Sequence, residues 1–146
     1  MDRRSILWVI LWATGLLSAV ALAASLNLGT SSATLEIPPE KIDVRYTLRT
    51  GIDGSNLVFY GVGDTLDGVI NPDLRAEPGE FVAITLINGD GGTHDVSVPD
   101  FNATSDRLIR KNDTTRIAFR AGDTGNYAYI CTVLGHRAAG MEGKLI

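Results

Sequence analysis

The chain has 146 residues, 45% of them hydrophobic, with a net charge of −4 and a pI near 5.0. An acidic chain lacks the basic surface that nucleic acid selects, which excludes that partner. One cysteine cannot close an internal disulfide, so cysteine count does not give the compartment.

The N-terminus gives it instead. Asp2-Arg3-Arg4 precedes an uncharged run from Ser5 to Leu26 that includes Trp8, Trp12, Leu16, Leu17 and Leu22. A basic start, an apolar stretch and the small-residue Ala21-Leu22-Ala23 have the form of a secretory signal. The run is also near the length of a membrane span, which favours an uncleaved anchor helix. It is apolar all round, but a buried core helix is the weaker reading for so long a run. Arg3 and Arg4 place its leading end in the cytoplasm, so either form exports the rest of the chain. Arg3-Arg4-Ser5-Ile6-Leu7 also resembles a twin-arginine signal, in a segment more apolar than that route uses.

Asn27 to Lys41, with Gly29, Thr30, Ser31, Ser32, Pro38 and Pro39, reads as a flexible tether. The expected division is 1–26 signal peptide or transmembrane anchor, 27–41 tether and 42–146 domain. About 105 residues then remain for one domain with its own core. Asp2, Arg3 and Arg4 together carry +1, so the exported part is near −5.

Past the tether come short β-rich runs between turn residues, with no helical period. Ile42 to Leu48 alternates apolar and polar; Asn56 to Val62 is punctuated by Gly61 and Gly63; Val69 to Ala76 is broken at Pro72. Phe81 to Ile87 sets Val82, Ile84 and Leu86 on one face and Phe81, Ala83, Thr85 and Ile87 on the other, both at least partly apolar. His94 to Val98, Thr114 to Phe119, Asn126 to Cys131 and Met141 to Ile146 complete about eight strands. Phe101 to Arg110 is the least strand-like stretch and reads as a loop or a short helical turn. Asn102-Ala-Thr and Asn112-Asp-Thr fit the glycosylation triplet. The expected fold is all-β, a Greek-key β-sandwich preceded by an N-terminal hydrophobic signal or anchor helix. The stop at Leu145-Ile146 suggests a fragment or the first module of a longer protein.

The chemistry lies near the end. Cys131, His136 and Met141 sit five residues apart, and His94 lies 37 residues upstream of Cys131 (131 − 94). One thiolate, two imidazoles and a thioether are the donors of a blue-copper electron-transfer centre. Met1 apart, this set uses every cysteine, histidine and methionine of the chain. A short loop can carry Cys131 at its start, His136 at its crest and Met141 at its end, with His94 arriving from a neighbouring strand. Other readings compete. Cys131 and Met141 as plain core leave two histidines without a role. Structural zinc prefers more thiolates, and catalytic zinc rarely takes a thioether. A Cys/His nucleophile would need an accessible thiolate and a group that orients the base.

These residues resemble a family. His94-Asp95, Tyr127-Ala-Tyr-Ile-Cys131, Gly135-His136 and Met141-Glu-Gly-Lys are similar to the cupredoxins, the blue-copper proteins that include plastocyanin and azurin. The resemblance covers roughly Leu57 to Ile146. Gly68 to Glu80 resembles the entry strand of copper nitrite reductases and multicopper oxidases, and Pro99-Asp-Phe, Thr104-Ser-Asp-Arg and Gly135 to Lys144 resemble, more narrowly, the cupredoxin module fused in front of some copper nitrite reductases. The resemblance implies one type 1 copper with His94, Cys131 and His136 equatorial and Met141 axial. Asp95 stands where many cupredoxins have an Asn that braces the ligand loop, and Thr132 follows the cysteine; both would act behind the ligands. Val133, Leu134, Gly135, Ala138 and Ala139 would form the apolar patch through which electrons pass.

The leading expectation is an exported, membrane-tethered blue-copper electron carrier whose partner is a cytochrome or another copper protein. The alternative is the N-terminal module of a copper nitrite reductase or multicopper oxidase, feeding a downstream copper domain. A non-redox copper chaperone is the third. No second histidine set exists for a catalytic copper, so the chain alone is expected not to reduce nitrite.

Overall fold

The computed structural model describes residues 38–146. The candidate anchor at 1–26 and the tether up to residue 37 lie outside the described residues. Among the described residues, no helix is long and apolar enough to cross a membrane.

Eight strands follow in chain order among these residues: β1 (Val44–Asp53), β2 (Asn56–Gly61), β3 (Phe81–Ile87), β4 (Ser97–Val98), β5 (Ala103–Thr104), β6 (Thr114–Arg120), β7 (Tyr127–Ile130) and β8 (Glu142–Leu145). Strand β3 pairs parallel with β1 and antiparallel with β6, so it lies inside its sheet with both edges paired. Its Val82, Ile84 and Leu86 are wholly buried, while Ala83 is nearly so from the opposite face. One sheet has the order β2-β1-β3-β6 and the other β5-β4-β7-β8.

The inner faces meet in one core. Leu48, Phe59, Val82, Ile84 and Leu86 come from the first sheet, and Val98, Tyr129 and Leu145 from the second. Phe59 and Tyr129 join the sheets, with ring centroids 5.4 Å apart. Each such side chain removed from water contributes about 1.5–3 kcal/mol. The expected all-β, two-sheet architecture is what the described residues form.

Three segments differ from the sequence reading. The first strand does not end at Leu48 but runs on to Asp53, where Gly54 at φ 58 turns the chain into β2. The register from Leu48↔Gly61 to Asp53↔Asn56 makes this a hairpin. Residues 69–76 form no strand: only the bridges Tyr60↔Ile70 and Leu74↔Leu145 survive. Pro72 has no N–H to give a ladder, and Asn71 takes φ 45, which no strand accommodates. The stretch after Val98 begins with a 3₁₀ turn, Pro99–Phe101, then contributes β5 and a bridge from Leu108 to His94.

Candidate metal centre

Strands β7 and β8 are antiparallel neighbours with Ile130 opposite Glu142. Cys131 therefore leaves the sheet where Met141 returns to it, and the Cys131 N–H donates to the Met141 carbonyl at 3.2 Å. Between them the loop closes on itself: Met141 N donates to His136 O at 3.0 Å, and His136 N to Val133 O at 3.0 Å. Gly135 at φ 87 and Gly140 at φ 104 supply the left-handed turns this tight path needs. At Gly140 a Cβ would also crowd the Leu57 carbonyl at 3.3 Å.

His94 arrives from the segment before β4. It is locked by a two-way backbone bridge to Leu108, at 3.0 and 2.7 Å. The structure brings three sequence-predicted residues together: the donor atoms of His94, Cys131 and His136 all lie within 4.8 Å of one another. Cys131 Sγ is 3.5 Å from His136 Nδ1, and the two imidazole centroids are 5.0 Å apart. Donors at bonds of about 2.0–2.3 Å around a trigonal ion stand about 3.5–4 Å apart, so the cluster suits one ion. Met141 is wholly buried at the loop's return.

The chemistry of the cluster also fits a metal. Among the described residues, His94 Nδ1 is the one buried side-chain nitrogen or oxygen without a hydrogen-bond partner. An unsatisfied buried polar atom costs about 1–3 kcal/mol, and a bound cation removes that cost. Burial pushes the Cys131 thiol up, while the backbone N–H groups of Asp95 and Val133 pull it down. A cation at the cluster takes the place of that proton. Burial, then His94, lowers the His136 imidazole, against the pull of Asp90 and Asp95. The ring is thereby kept as a neutral lone-pair donor, the form that binds metals.

Asp95 is 2% exposed and fully occupied. Oδ1 accepts from Thr132 N at 2.6 Å, Oδ2 accepts from Thr132 Oγ1, and Arg107 Nε stands 3.6 Å away. This ties the chain beside His94 to the chain beside Cys131, and the partners are what make a buried carboxylate tolerable. The loop residues divide: Leu134 is 98% exposed, whereas Val133 packs against the core. Gly135 and Ala138 are exposed, and Ala139 is half-buried.

Sequence reading missed three residues that hold the site. Asn71 accepts from Phe59 N and donates to Gly140 O, both at 2.9 Å, and so ties the ligand loop to β2. Buried Asn88 accepts from Gly91 N at 2.8 Å and donates to Gly92 O at 2.7 Å. Asp90 contacts His94 Nε2 at 3.0 Å. Both Asn88 and Asp90 lie in the glycine-rich stretch between the expected strands Phe81 to Ile87 and His94 to Val98; the visible signal is an acid four residues before a ligand-type histidine.

No protein-family model matches the chain, and no curated protein matches it. Solved structures do. The chain is similar to auracyanin B at 19% identity and TM-score 0.55, over 75% of this chain and 91% of that one. It is similar to rusticyanin from Thiobacillus ferrooxidans at 25% identity and TM-score 0.52, over 70% and 75%. It is also similar to the copper-containing nitrite reductase of Thermus scotoductus SA-01, at 23% identity and TM-score 0.51, over 70% of this chain but 27% of that one. The structural neighbours are cupredoxins, and the His94/Cys131/His136 cluster fits one type 1 copper.

Proposed function

We propose that this chain, a cupredoxin fold carrying the donor set of one type 1 copper, is an exported blue-copper electron-transfer protein. His94, Cys131 and His136, with Met141 at the loop's return, would hold the ion. The copper supplies one-electron Cu(I)/Cu(II) redox chemistry. The observation that carries the reading is His94 Nδ1, buried and unpartnered inside a cluster with a buried thiol and a second imidazole.

The protein's own contribution is to hold four side chains still. Backbone hydrogen bonds fix both ends of the ligand loop, Asp95 joins it to the His94 segment, and Asn71 joins it to β2. A cage so braced would hold nearly the same geometry for either oxidation state of a bound ion. The exposed Leu134 beside His136 supports docking of a redox protein partner through a small face with few charges. Residues 1–26 support export, with the apolar run holding the domain at the outer face of the membrane if it is not cleaved.

The test is a visible spectrum and copper analysis of the purified chain. One copper per chain and an intense thiolate-to-copper band are expected, with Cys131→Ser abolishing the band. A variant that stays blue would sink the assignment.

A further inference from the structure

The turn between β3 and β4 is built around a carboxylate. Asp90 Oδ1 and Oδ2 stand 3.0 and 3.1 Å from His94 Nε2, nearly equidistant. A carboxylate only accepts, so the ring places its proton on Nε2 and leaves a lone pair on Nδ1. Nδ1 is the buried atom with no partner, inside the donor cluster. The acid is itself fixed, since Gly92 N donates to Asp90 Oδ1 at 2.8 Å.

The turn is closest to the pair at Gly92. A Cβ on Gly92 would lie 2.7 Å from His94 Nε2 and 3.2 Å from Asp90 Oδ1, so only glycine lets acid and ring meet. Asn88 clamps the turn from inside through Gly91 N and Gly92 O, and Gly89 N donates to Thr50 Oγ1 at 3.0 Å. The side chains of Asp90 and His94 are 17% and 2% exposed, so water screens their interaction little.

We propose that Asp90 is a positioning residue of the metal centre: it fixes His94 as the Nε2–H tautomer, aims Nδ1 into the cluster, and through its negative charge makes the imidazole a stronger donor. A stronger donor favours the more highly charged Cu(II), so Asp90 holds the reduction potential down. The tautomer half stands for any metal; the potential half rests on the copper reading above.

Two variants of the full chain separate the parts. Asp90→Asn keeps an oxygen acceptor and removes the charge; Asp90→Ala removes both. In copper-free, ¹⁵N-labelled protein, two-bond ¹H–¹⁵N correlation reports the tautomer directly. Wild type and Asp90→Asn are expected to show His94 protonated at Nε2, and Asp90→Ala a mixture. In the copper-loaded protein, Asp90→Asn is expected to lower the preference for Cu(II) over Cu(I) about tenfold, which for a one-electron couple raises the potential by about 59 mV. Wild-type His94 protonated at Nδ1 overturns the tautomer assignment. A potential unchanged in Asp90→Asn overturns the electronic role, and a loss of thermal stability alone in both variants reduces Asp90 to a structural brace. If the wild-type chain lacks the thiolate band, the copper reading falls, while the copper-free tautomer measurement still decides what Asp90 does.

Discussion

Met141 is wholly buried where the ligand loop rejoins β8, and its side chain is apolar enough to be replaced by leucine at nearly constant volume. As the axial donor it would stabilise Cu(II) slightly more than Cu(I). Met141→Leu is therefore expected to keep copper and colour and to raise the reduction potential, measured by redox titration. Loss of copper, or an unchanged potential, would count against an axial role. Leu134 lies a few residues away and points outward, 98% exposed. Leu134→Glu places a charge in the face beside His136 without touching a donor. Stopped-flow electron exchange with the physiological partner should slow, while the visible spectrum stays as in wild type. Equal rates across a range of salt would remove this face from the mechanism.

Among the elements, the β7–β8 pair acts as the arm that presents the ligand loop, and β2 is the rail it rests on. Leu57 N donates to Ala139 O at 3.0 Å, and Asn71 spans Phe59 N and Gly140 O. Asn71 also takes φ 45, a left-handed conformation that suits Asn better than most residues. Asn71→Ala leaves Phe59 N and Gly140 O without this partner and adds backbone strain. A loss of about 1–3 kcal/mol is expected in urea unfolding of the copper-free chain. An unchanged midpoint would mean that the loop is held by its own turns alone. The sequence read this segment as a strand because Val69, Ile70 and Leu74 are apolar; nothing local shows that Asn71 reaches the far loop, 69 residues on.

At the scale of the whole molecule, both histidines and the one cysteine of the chain lie in a single cluster. The expectation concerning residues 1–26 is tested in cells rather than in the fold. An anchored, exported domain is digested when protease is added to spheroplasts, and a cleaved one is found in the periplasmic pool. A domain protected inside sealed spheroplasts, with no periplasmic pool, would refute export in both forms.

Local pattern alone determined the all-β class, because strand alternation and turn residues act over a few positions. It singled out Cys131, His136 and Met141, because one short loop carries them. It pointed to His94 because the chain has no other partner for that chemistry. Tertiary structure decided the rest. It extended β1 into a hairpin, since pairing with β2 satisfies backbone groups that alternation ignores. It turned residues 69–76 from a strand into a tie, and it sorted Val133 inward from Leu134 outward. It set Asp90 against His94 Nε2 and Asp95 against Thr132, pairings fixed by how the His94 turn folds back and meets the ligand loop. A residue's type limits which contacts it can make; only the packing of distant segments selects among them.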